Sequence, residues 1–144
     1  MKLLTIGFTK KSAEDFFTRL RDSDAKRVLD VRLNNVSQLA GFSKRDDLCF
    51  FLRELCQMDY HHFPELAPTA EMLAAYRKKD GDWSAYELQF LALMESRRVQ
   101  DSVPKNLVDE SCLLCSEDEP THCHRRLVAE YLRDKWGRLE IVHL

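Results

Sequence analysis

The residues best suited to chemistry lie between Ser111 and Arg126. Three cysteines (Cys112, Cys115, Cys123), two histidines (His122, His124) and two arginines (Arg125, Arg126) fall in this one stretch. Ser111 to Cys115 is an apolar run of inner-strand length. Glu117, Asp118, Glu119 and Pro120 cannot continue it. Thr121 is a good N-cap, and Leu127, Val128, Tyr131 and Leu132 then share one helical face. The spacing predicts a strand, an acidic loop and a helix with Cys123 in its first turn. Free N–H groups at a helix N-terminus favour an anion or a thiolate. With Arg125 close by, Cys123 is a candidate nucleophile; the alternative is a thiol packed under the loop.

Cys112 and Cys115 have Cys-x-x-Cys spacing, but residues three apart on a strand point to opposite faces. Cys112 is therefore expected in the core. Cys115, at the strand end, can approach Cys123 across the loop. That pair could form a redox disulfide or, with His122 or His124, a zinc site. A structural zinc site wants four ligands and only one compact group is visible, so no metal and no cofactor is assigned. Cys49 and Cys56 are expected in the core. A phosphatase-type loop is absent, because Ala129 stands where its arginine would be; no phosphate-binding glycine loop is present either.

Arg32 and Arg125 are the best anion holders, since a guanidinium offers a planar fork to phosphate or carboxylate. The alternative is an internal ion pair with Asp30 or Glu117. Those two carboxylates are the candidates for orienting a group or moving a proton. Thr9, Lys10, His124 and Cys115 complete the proposed anion site. His61 and His62 point opposite ways on a short strand, so at most one faces the site. The spacing of Phe16, Phe17, Phe50, Phe51 and Phe90 is helical and reads as core, not as a base-stacking platform.

The elements that must position these groups alternate. Strands are expected at Lys2–Gly7, Lys26–Arg32, Tyr60–Phe63, Ser111–Cys115 and Leu139–His143. Helices are expected after Ser12, Ser43 and Thr69, over Trp83–Arg97, and from Thr121 to Trp136 with Gly137 as the stop. Leu33–Phe42 and Gln100–Glu110 read as polar connections, and Lys78–Asp82 as a helix break. This alternation implies one α/β domain over 1–144, a mostly parallel sheet between helix layers, Rossmann-like. In such sheets ligands bind beyond the strand C-termini. Thr9 and Lys10, Asp30 and Arg32, and Cys115 all fall at those ends.

The 144 residues are 44% hydrophobic and 32% charged, which suits one globular domain and argues against disorder. A formal net charge of −2 gives no general pull towards nucleic acid, although a local basic patch would be compatible with it. The apolar runs are too short to span a membrane, and Met1–Leu4 leads into a strand rather than a signal peptide. A cytoplasmic protein with mostly reduced cysteines is the expectation.

Thr5-Ile6-Gly7, Asp30-Val31-Arg32, Leu114-Cys115, Glu117, Pro120 and Cys123-His124-Arg125 occur in an order that resembles a prokaryotic family known only as domain of unknown function 488. The resemblance runs from Thr5 to His143. It implies a small cytoplasmic α/β domain with these motifs gathered in one place, and no established reaction. The common family form has histidine and serine after the glycine and a proline after the arginine. Here Phe8-Thr9 and Asn34-Asn35 stand there, so Thr9 keeps a hydroxyl and no general base is assigned at the position of that histidine. The expectation is a thiol-dependent enzyme acting on a phosphorylated, nucleotide-like or nucleic-acid-derived substrate. The alternatives are a non-catalytic nucleotide or nucleic-acid binding module, and an accessory protein acting through a partner.

Overall fold

The structure is a computed structural model and describes residues 1–36, 41–78 and 81–144. Five parallel strands form one sheet in the order β3-β2-β4-β1-β5: β1 (Lys2–Gly7), β2 (Arg27–Asp30), β3 (Asp59–His62), β4 (Ser111–Cys115) and β5 (Glu140–His143). β4 lies between β1 and β2, so the three strand ends that carry the candidate residues are neighbours.

Side chains alternate across the sheet, as a pleated strand requires. Leu4, Ile6, Val28, Cys112 and Leu114 face α1 (Ala13–Arg21) and α2 (Arg45–Phe51), which continues as a π-helical turn over Leu52–Cys56. Leu3, Leu29, Val31, Leu113 and Cys115 face the other layer. That layer holds α3 (Ala70–Arg77), α4 (Trp83–Arg97), the short α5 (Val99–Ser102) and α6 (Lys105–Val108), and α7 (His124–Trp136). The result is a three-layer α/β fold. Cys112 and Cys115 fall in opposite layers, and Cys112 is fully buried. Among the described residues no helix is long and apolar enough to cross a membrane.

Several expectations need correction. α7 begins at His124, not after Thr121; Cys123 is its N-cap, in extended conformation. Residues 120–123 form a tight turn instead, closed by the Cys123 N–H on the Pro120 carbonyl at 3.1 Å. The connection 100–110 is not irregular: Val99, Val103 and Val108 are buried and fold it into two helical turns. Ser43 ends a 3₁₀ turn, and Lys44 takes the N-cap position of α2. Cys49 and Cys56 are only half-buried. Phe50 is 49% exposed, so it does not belong to the core. Part of the polar connection 33–42 (residues 37–40) and part of the break at 78–82 (residues 79 and 80) lie outside the described residues.

Candidate functional site

Cys115 closes β4 opposite Gly7 of β1. After it the chain turns, and the main-chain N–H groups of Ser116 and Glu117 are aimed at its sulfur. Cys123 stands across the turn, its Sγ within 4.8 Å of the Cys115 sulfur. His124 follows, with Nδ1 3.4 Å from Cys115 Sγ and Nε2 2.6 Å from the Val31 carbonyl. A carbonyl only accepts, so Nε2 carries hydrogen and Nδ1 is the atom that can exchange a proton with the thiol. Phe90 packs against the imidazole at 5.6 Å.

The two sulfurs are pushed apart electrostatically. The hydrogen bond from Cys123 lowers Cys115 below the ordinary thiol value. The Ser116 and Glu117 N–H groups and the Arg125 charge assist, against the cost of burial. Cys123 is raised well above it, first by burial and then by donating to Cys115. The first-turn activation expected for Cys123 thus gives way to an arrangement in which Cys115 receives the donors.

Arg32 and Asp30 pair with each other in a buried fork, Nε to Oδ1 and Nη2 to Oδ2, both at 2.8 Å. Asp30 Oδ2 also accepts the Tyr60 hydroxyl at 2.5 Å, and His62 Nε2 donates to the Arg32 carbonyl at 2.8 Å. Arg32 Nη1 is buried with no hydrogen-bond partner among the described residues. The pair is neutral overall, so this atom acts as a directed donor rather than a free positive charge. An unmet buried donor costs about 1–3 kcal/mol, and an acceptor brought by water or by a ligand removes that cost.

Arg32, Cys115, Glu117, Cys123 and His124 line a cavity of about 450 Å³, a size suited to a small organic ligand. Its other wall comes from α3 and α4: Ala70, Leu73, Ala74 and Arg77 sit at helical spacing, with Tyr76 and Tyr86 beside them. At the rim, His122 stacks on Trp83 at 5.0 Å, and Trp83 stacks on Tyr86 at 5.1 Å.

The remaining expected site residues are elsewhere. Arg125 is fully buried and spent on structure: Nε donates to Thr5 Oγ1 at 3.1 Å, and its two Nη groups hold the Glu117 and Asp118 carbonyls. Thr9 turns its hydroxyl onto the Ser116 carbonyl at 2.6 Å. Lys10 is exposed and does not line the cavity; its neighbour Lys11 grips Asp118 at 2.6 Å. Asp30 lies beneath Arg32 rather than on the cavity wall. Sequence reasoning missed Arg77, Tyr76 and Tyr86 as wall residues. The signal was present in the 70, 73, 74, 77 spacing, which reads equally well as a core face.

No curated protein and no solved structure matches the chain. One family model matches residues 12–132. The cysteines, His124 and Arg125 that the resemblance rests on all fall within that match, and the chain belongs to the family described as domain of unknown function DUF488.

Proposed function

We propose that the chain is a thiol-dependent enzyme that acts on a small ligand carrying an anionic group, of nucleotide-like kind, with Cys115 as the nucleophile. The observation that carries this reading is the Cys115–His124 pair at 3.4 Å on the wall of the cavity, with the imidazole fixed by Val31. His124 Nδ1 takes the thiol proton. The sulfur gives its electron pair to an electrophilic centre of the ligand, and the leaving group departs with that proton. Water then splits the adduct and restores the thiol. Cys123 holds the sulfur in its charged form. Arg32 Nη1 and the exposed Arg77 meet the ligand's anionic oxygens, and Tyr76 and Tyr86 offer flat apolar surface to a ring.

Alkylation by iodoacetamide, mapped by peptide mass on metal-stripped protein at pH 7, tests this. Cys115 is expected to react faster than Cys49 and Cys56, although both of those are more exposed, because burial raises their thiols while that of Cys115 is lowered. If Cys115 is the slower residue, the nucleophile reading fails. The cavity is then a binding site without turnover.

A further inference from the structure

We propose that Cys115, Cys123 and His124 bind one zinc ion through Sγ, Sγ and Nδ1, leaving its fourth position open to the cavity. The three ligand atoms all lie within 4.8 Å of one another, and all three residues are buried. Bonds of about 2.3 Å to sulfur and about 2.0–2.1 Å to nitrogen, at a tetrahedral angle, separate sulfur and nitrogen by about 3.5 Å. The Cys115–His124 separation is 3.4 Å without any movement.

The outer partners suit a metal. A ligating histidine usually donates its other N–H to a carbonyl or carboxylate, as His124 does to Val31. Main-chain N–H groups already face Cys115. Two thiolates neutralise the charge of the ion, so a neutral centre is buried rather than a bare charge. Binding converts both sulfurs to thiolates, and any thiol protons pass to solvent. The cavity supplies the open position, which water or a ligand atom fills. Two cysteines and a histidine with one open position is a donor set of catalytic rather than structural type.

The site is the one just given to the nucleophile, and the consequence for regulation rests on that reading: zinc and the electrophile compete for the same Cys115 electron pair. Zinc binding itself does not depend on it.

Metal-stripped full-length protein, titrated with Co²⁺ and then Zn²⁺, tests the site. One ion per chain is expected, with a thiolate-to-cobalt charge-transfer band and tetrahedral d–d absorption that zinc abolishes. Losing an outer partner alone costs about 10–100-fold in metal affinity. Cys115→Ser, Cys123→Ser and His124→Gln are each expected to weaken zinc by at least about tenfold, while Cys49→Ser leaves it unchanged. Near-ultraviolet circular dichroism checks that each variant folds. Should a variant unfold, the wild-type cobalt spectrum decides alone. Absence of the thiolate band, or undiminished binding by a folded Cys123→Ser, overturns the site. One equivalent of zinc is expected to slow Cys115 alkylation at least about tenfold; an unchanged rate with zinc bound overturns the competition. Slow alkylation without metal, together with a normal cobalt spectrum, sinks the nucleophile and leaves the zinc site standing.

Discussion

The two sulfurs at the end of β4 differ in their donors. The Cys123 thiol and the Ser116 and Glu117 N–H groups lower Cys115 against the cost of burial, whereas burial first and then Cys115 raise Cys123. Cys123→Ala removes the largest single cause of the Cys115 shift. In metal-stripped protein it is expected to slow Cys115 alkylation at pH 7 several-fold, while Cys123→Ser, which keeps a donor, largely preserves the rate. Arg125 makes the opposite kind of prediction. It is fully buried and serves three acceptors on Thr5, Glu117 and Asp118. Arg125→Ala leaves those acceptors unmet and is expected to cost about 3 kcal/mol or more, read from the denaturant midpoint. Arg125→Lys does not restore this, because one ammonium cannot reproduce the fork.

The loop between β4 and α7 is held by contacts from β1. A Cβ on Gly7 would lie 1.6 Å from the Glu117 carbonyl oxygen, so no side chain fits there unless the loop moves. Gly7→Ala is expected to destabilise the fold by about 1–3 kcal/mol and to lower Cys115 reactivity as the Glu117 N–H is displaced. Denaturant unfolding and alkylation of the folded fraction check the two effects. At this scale the sequence was readable where periodicity alone decides. The five strands, α1 and α4 follow from alternating or helical apolar spacing, and the neighbouring strand ends follow from the parallel order. The start of α7 is not legible, because Thr121 has the residue type of an N-cap while the turn at 120–123 is closed by the main chain, Cys123 N–H on the Pro120 carbonyl. The roles within the site were half readable. Spacing brings Cys115 and Cys123 together, but the direction of the imidazole is set by Val31, 93 residues away along the chain. The ion pair of Asp30 with Arg32 is legible from their shared strand face; the unmet Nη1 depends on packing.

Alkali acts on the molecule as a whole. Burial raises the Cys112 thiol and, with Asp30 adding to it, the Tyr60 hydroxyl. In both cases the folded protein keeps a proton that the unfolded chain releases, so the contribution of these two groups is fully present below their free values and is lost as pH rises. The fall begins near the free-thiol value of about 8.5 and reaches at most about 1.4 kcal/mol per pH unit from Cys112. Thermal midpoints at pH 8, 9 and 10 are expected to decline, and Cys112→Ala is expected to flatten the decline. The two layers are also tied through a single peptide plane. The Val31 carbonyl accepts from His124, and the Arg32 N–H of the same plane donates to Asp30 at 3.1 Å. Asp30→Ala, which removes that acceptor, is therefore expected to slow Cys115 alkylation in folded protein several-fold, although Asp30 never touches the sulfur; an unchanged rate would show the plane to be rigid without it. One peptide plane thus gives the guanidinium that faces the cavity and the imidazole beside the thiol a common footing.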